Sequence, residues 1–397
     1  VPDIVSQSPF RFTTLPPLTL YVHLPWCARK CPYCDFNSYA AREAIPEARY
    51  VDALLADLDY ELPRVHGRCV EAVFIGGGTP SLFSAEAIDR LLTEIAARVT
   101  LRPEAEITLE ANPGTVEVRK FIDFRAAGVN RLSIGAQSFN DQRLEQLGRI
   151  HDGYEAIRAA EIARHAGFDN FNIDLMFGLP GQDVAACMDD LRIAMSLEPT
   201  HISFYQLTIE PNTFFHHQPP PLPDDEISWN MYTQGISFMA DRGYTQYEVS
   251  AYAKAGRHCR HNLNYWEFGD YIGIGAGSHG KLSSLSNSIQ RRHKHRQPRQ
   301  YMECALKGQP VAGEYKLSAE DAIFEFMLNA LRLSEGFDAS LFTACTGLAQ
   351  NLLVSRVTDL VARGLLWQRA GRIGPTDLGR RFLNDLTEVF LPDERTD

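Results

Sequence analysis

The sequence has no apolar run long enough to cross a bilayer, and its opening residues lack a basic start followed by an apolar core. Neither a transmembrane anchor nor a secretory leader is expected from it. It has no excess of positive charge. The 39 Lys and Arg are outnumbered by 50 Asp and Glu, giving a formal net charge of −11, which argues against broad nucleic-acid binding. Nor is there a disulfide framework. The 8 cysteines are sparse for a 397-residue chain, so a reducing cytosol is the expected location, where clustered thiols serve as metal ligands or redox groups. The first stretch, residues 1–18, reads as a loose, Pro-rich lead-in.

What the sequence does have is alternation. Runs rich in Val, Ile, Leu and Phe begin at Leu18, Val70, Glu106, Val129, Phe171 and Thr200, with helix-like segments between them. Such runs read as strands buried on both faces, and the alternation predicts parallel strands joined by helical crossovers. Polar residues gather where each run ends: Cys27, the segment Gly76–Pro80, Glu110–Gly114, Gln137–Asn140, Asp174 and Gln206. Six clusters at one edge favour a curved, barrel-like sheet over a flat one. Beyond Pro211 the texture changes. A Pro-rich linker precedes a helix and a strand. Residues 259–280 read as an aromatic, Gly-rich loop region, and "RRHKHRQPR" from Arg291 as a solvated basic loop. From about Leu317 the pattern is helical, with Ser318 and Asp321 placed as a capping box and a winged-helix-like end. Arg356 and Arg363 there are offset by Asp359, which favours a packing module over a DNA reader. The expected domains are 1–18, a barrel with its extension at 19–310, and a small helical unit at 311–397.

The chemistry concentrates in "LYVHLPWCARKCPYCDF". Cys27, Cys31 and Cys34 follow the first strand with C-x-x-x-C-x-x-C spacing. Buried small hydrophobes are a poor account of three cysteines among charged Arg29 and Lys30. A tetrahedral zinc site would need a fourth ligand, and neither Asp35 nor His23 suits it by spacing. An iron–sulfur cube accounts for the number better. Three thiolates hold three irons, and the fourth iron is left for a small molecule.

This loop, placed after the first strand of a β/α chain, resembles the radical S-adenosylmethionine (SAM) superfamily. The resemblance implies a partial (β/α)6 barrel, a 4Fe-4S cluster on Cys27, Cys31 and Cys34, and SAM bound through its amino and carboxylate groups to the open iron. In that superfamily reduction cleaves SAM to a 5′-deoxyadenosyl radical. The segments "GGGTPS", "EANPGT", "RLSIGAQSF", "LGRIHDG" and "NIDLMFGLPGQ" narrow the likeness to the group of oxygen-independent coproporphyrinogen III oxidases and HemW-type heme chaperones. It covers nearly the whole chain. Carried over, the group's SAM contacts fall on Tyr21, Gly77, Gly78, Thr79, Glu110, Gln137, Arg149 and Asp174. Taken singly, each of these is more often a structural polar group than a ligand.

Two features separate the branches. The oxidase motif carries a further cysteine two residues after the third, where this chain has Phe36. The segment "CRHNLNYW" at Cys259–Trp266 matches a signature of the chaperone branch. His261 is the residue expected to ligate heme iron, with His258 and Cys259 as competitors, a structural loop as the plain alternative, and a zinc site from the three as a compact and strained one. The expected function is heme binding and transfer to acceptor proteins, membrane cytochromes among them, with decarboxylation of coproporphyrinogen III propionates as the alternative.

Overall fold

A computed structural model describes residues 8–115 and 118–392. The six expected β/α units are present. Strands β1 (Leu18–Leu24), β2 (Cys69–Gly77), β3 (Thr100–Ala111), β4 (Arg131–Gln137), β5 (Phe171–Phe177) and β6 (His201–Gln206) run side by side in chain order, and all five neighbouring pairs are parallel. The crossovers carry helices α1 (Glu47–Val65), α2 (Ala85–Arg98), α3 (Val118–Ala126), α4 (Gly153–His165) and α5 (Val184–Ser196).

Helix α2 shows why these segments fold as they do. Ser84 caps it by accepting from the Ala87 N–H, and Ile88, Leu91, Leu92 and Ile95 form one buried face. Burial of such side chains contributes about 1.5–3 kcal/mol each, more than helix propensity supplies. The strands are less uniform than their composition implies. On β1, Leu18, Leu20, Val22 and Leu24 join the helix-side core, while Tyr21 and His23 point the other way. The two-residue period recurs in Glu110, in Ser133, Gly135 and Gln137, in Asp174, and in Ser203 and Tyr205, all of which line one cavity. The inner face of the sheet is therefore polar, so the strands are buried on both faces but apolar on only one.

The parallel sheet is extended at both margins. After α6 (Asp225–Ala240), strands β7 (Thr245–Glu248) and β8 (Ala251–Ala253) add beyond β6. On the other margin, β9 (Asp270–Ile274) pairs parallel to β1, followed by antiparallel β10 (His279–Ser284), β11 (Ser288–Lys294) and β12 (Val311–Lys316). Two expectations are corrected here. Residues 259–280 are not an open loop: they contain helix α7 (Arg260–Trp266) and strand β9. The basic segment from Arg291 is not a solvated loop either. It starts within β11, where Arg291 meets Glu325, Arg292 meets Glu61 and Glu314, and Lys294 meets Asp57 and Glu61. Lys294 is 1% exposed in this network. Arg292 and Lys294 turn inward because carboxylates on α1, far away in sequence, neutralise them.

A second core gathers Phe10 and Phe12 with residues of 317–390. The part of the lead-in that is described is therefore anchored: two buried aromatics hold it, and the Arg11 N–H donates to the Gly347 carbonyl at 2.7 Å. Residues 1–7 lie outside the described set. In this core α8 (Ala319–Ala330) opens with the Ser318–Asp321 capping box. Helices α9 (Ala339–Thr346) and α10 (Asn351–Ala362) then lead to a small three-stranded sheet. Arg356 pairs with Glu320 at 2.9 Å and Arg363 with Asp359 at 3.4 Å.

Replacing Lys294 with Ala strands two buried carboxylates. It should cost about 3–5 kcal/mol of stability, read as a lowered denaturant midpoint in equilibrium unfolding.

Candidate functional site

The cluster loop leaves β1 at Leu24 and is fastened at its base. The Tyr39 N–H donates to the Pro25 carbonyl and the Ala41 N–H to that of Cys27, both at 2.8 Å. Between these ties the three cysteines lie half-buried on the wall of a cavity of about 770 Å3, within the range of ligand pockets. The Lys30 ammonium donates to the carbonyls of Phe36 at 3.0 Å and Ser38 at 3.3 Å, closing the loop on itself, and its charge still favours the Cys34 thiolate. The cation in contact with a thiol is Arg149, whose Nη1 is 3.7 Å from the Cys31 sulfur and whose Nη2 donates to the Gly135 carbonyl at 2.6 Å. Sequence separation hides this pairing. The only local signal is Gly148, at φ +67°, where an added Cβ would stand 2.7 Å from Pro32 of the loop.

The glycine segment follows β2. The Gly78 N–H donates to the Leu24 carbonyl at 2.8 Å and the Thr79 N–H to that of Trp26 at 2.7 Å. A Cβ on Gly78 would lie 2.5 Å from the Trp26 carbonyl oxygen. The glycine is there because two backbones meet. The Gly77 N–H donates to Glu110 Oε2 at 3.0 Å.

The other expected residues share the same cavity wall. Gln137, at φ +69°, accepts from the Tyr205 hydroxyl at 2.6 Å. Asp174 accepts from Ser133 at 3.1 Å and Asn172 at 2.7 Å. Tyr21 is the exception: it sits beside a second cavity, its hydroxyl 2.9 Å from His23 Nδ1. Of the expected set, Cys27, Cys31, Cys34, Gly77, Gly78, Thr79, Glu110, Gln137, Arg149 and Asp174 line one space. Sequence reasoning missed Ser133, Ser203 and Tyr205, although each lies at two-residue spacing on a strand already identified.

The radical SAM superfamily model matches residues 21–193, and the HemN C-terminal domain model matches 317–382. Heme chaperone HemW of Escherichia coli is 49% identical over 95% of this chain and 99% of its own length. Its namesake in Haemophilus influenzae is 48% identical over 96% and 99%, and that of Bacillus subtilis 34% over 94% and 98%. The chain belongs to the HemW family of radical SAM proteins. A solved radical SAM enzyme, coproporphyrinogen III oxidase (HemN) of Escherichia coli, has the same fold, with a TM-score of 0.80 at 24% identity over 95% of this chain and 90% of that one.

The donor set fits the cluster and the SAM that a HemW-family chain implies. Among the described residues no three His, Cys, Asp or Glu side chains converge as one metal ion requires. A cube asks for less convergence, because each thiolate takes a different iron. Burial pushes the Cys27 and Cys34 thiols up, so iron must displace their protons on binding. Arg149 leaves its Nε buried and unpartnered, beside the thiols where a carboxylate would be received. The zinc alternative near residue 260 fails. His258 stacks on Tyr247 at 4.4 Å, Cys259 is wholly buried, and His261 packs beside Tyr21 and Phe74, with centroids at 6.0 and 5.1 Å.

The second cavity, about 790 Å3, lies on the other side of the loop and shares Gly77, Glu110, Asp35 and Phe36 with the first. Glu110 thus faces both spaces. Burial, with Asp174 nearby, raises its carboxyl from 4.5 to about 7 against the opposing pull of the Gly77 N–H. Between those values the folded chain holds a proton that the unfolded chain has lost. The stability this gives is complete below pH 4.5 and is lost as pH rises through 7. Glu110→Gln, neutral throughout, should match the parent below pH 4.5 and exceed it by about 3 kcal/mol above pH 7. Thermal melts of metal-free protein across that range read the difference.

Proposed function

We propose that this protein is a heme chaperone that carries a 4Fe-4S cluster with SAM and passes heme to acceptor proteins. The observation that carries the reading is likeness along almost the whole chain, 49% identity over 95% of it, to a protein named heme chaperone HemW. Two further facts support it. Phe36, where the oxidase motif has its additional cysteine, is 62% exposed between the two cavities. The second cavity is walled by aromatic and imidazole side chains, suited to a flat macrocycle and its iron.

Bound together, the cluster and SAM supply one-electron chemistry at the open iron. The chain's own residues do the placing. Cys27, Cys31 and Cys34 hold the cluster. The Gly77–Thr79 backbone receives the SAM amino group and Arg149 its carboxylate. Glu110, Gln137 and Asp174 offer acceptors for ribose hydroxyls. We divide the chain after Lys316, later than residue 310 as read from sequence, because β12 belongs to the large sheet and the second core takes over at Leu317. Among the described residues no helix is long and apolar enough to cross a membrane. We place the protein in the cytoplasm, meeting membrane cytochromes from outside the bilayer.

The test offers anaerobically reconstituted protein two substrates in parallel. Stoichiometric heme uptake, with no protoporphyrinogen from coproporphyrinogen III plus SAM and reductant, is the expected outcome. Repeated decarboxylation turnovers would make it an oxidase instead. Cys34→Ser should abolish the cluster's visible absorption while leaving the far-ultraviolet dichroism unchanged.

A further inference from the structure

The second cavity contains a histidine pair that no expectation from the sequence included. His279 on β10 and His293 on β11 stand opposite each other in register. Their ring centroids are 5.7 Å apart, with planes inclined by 29°. Neither imidazole is tied up in a hydrogen bond among the described residues. The other two histidines of the cavity are constrained. His23 is bonded at both nitrogens, to the Tyr21 hydroxyl and the Asn37 carbonyl, each at 2.9 Å. His261 is 8% exposed, packed beside Tyr21 and Phe74, with its Nδ1 buried and unpartnered. A porphyrin is a broad disc, and its iron needs an imidazole that the disc can reach. His279 is exposed at the rim of the cavity, whereas His261 is buried at its floor.

The surroundings agree. Tyr265 and Tyr271, centroids 5.0 Å apart, give a neighbouring aromatic wall. Arg296 is exposed at the rim, bonded at 3.5 Å to Asn37 through Nε, and its guanidinium end is available to a carboxylate. Arg291 and Arg292 are excluded from that task by the ion pairs already described. Burial, then His293, Arg291 and Arg296, lower the affinity of His279 for a proton, which keeps it in the neutral form that ligates metal.

We propose that heme sits in this cavity, with the His279–His293 pair presenting its axial imidazole and Arg296 pairing with a propionate. This rests on the heme reading above and moves the ligand from His261 to the hairpin. A ligand at an open rim also suits a carrier, since the cargo can leave without opening the barrel.

The experiment titrates hemin into full-length, cluster-loaded protein, the His279→Ala/His293→Ala double variant, Arg296→Glu, and His261→Ala for comparison. The double variant should bind at least ten-fold more weakly, with its Soret band shifted toward that of free hemin. Added imidazole should restore the band, and the cluster absorption measured before titration should match the parent's. Arg296→Glu should weaken binding several-fold without moving the band. Parental affinity and band position in the double variant would overturn the assignment. So would loss of the axial-ligand signature in His261→Ala alone, though the heme reading would survive it. A parent that takes up no stoichiometric heme overturns both.

Discussion

The arrangement depends on one buried hydroxyl. Tyr50, wholly inaccessible on α1, donates to the His23 carbonyl at 2.9 Å and accepts from the Ala276 N–H at 2.9 Å. His23 belongs to the strand that delivers the cysteine loop, and Ala276 to the turn that follows β9. One side chain therefore sets the distance between the cluster's support and the extension that walls the second cavity. Asp57 and Glu61 continue the same face of α1 at helical spacing. Asp57 accepts from Tyr301 at 2.8 Å and the Gly275 N–H at 3.2 Å, and both carboxylates meet Lys294. Burial raises the Asp57 carboxyl, and Lys294 is the largest of the influences opposing that rise. Each group is tolerable only while the others are present. Such a network contributes more to a single defined geometry than to net stability.

That network also marks the limit of what local pattern can reveal. Apolar periodicity identifies α1 through Val51, Leu54, Leu55 and Leu58, and all four are buried. It is silent on Tyr50, Asp57 and Glu61, which are equally buried, because their partners lie far off in the chain, at His23 and beyond residue 270. The misreading of the segment from Arg291 has the same origin. A run of Arg, His and Lys looks solvated until the carboxylates facing it are known. The strand runs, the glycine segment and the cysteine spacing were legible because short-range sterics and bonding dictate them. The glycine at 78 is required by a carbonyl oxygen in the loop it touches, and the three thiols by the cluster's own valence.

The inner-face residues lie between these extremes. Glu110, Gln137 and Asp174 could be placed at strand ends from the chain alone. Their partners Ser133 and Tyr205 required the register between strands, which no single strand contains; Asn172 stands two residues from Asp174 on the same strand. The same register joins His279 to His293 across a hairpin. Each looks like an isolated surface histidine in the sequence.

Glu110 gives the shared wall between the cavities a functional consequence. Its carboxyl titrates near neutrality and borders both spaces. A ligand on the cluster side that bonds the charged carboxylate draws its proton away, and the potential felt on the histidine side becomes more negative. A ligand there that disfavours the charge pushes the proton back. Linkage makes any such influence reciprocal: whatever a ligand of one cavity does to affinity in the other, the second ligand does to the first by the same factor. Two cavities that share a titrating side chain can therefore communicate without any movement of the fold.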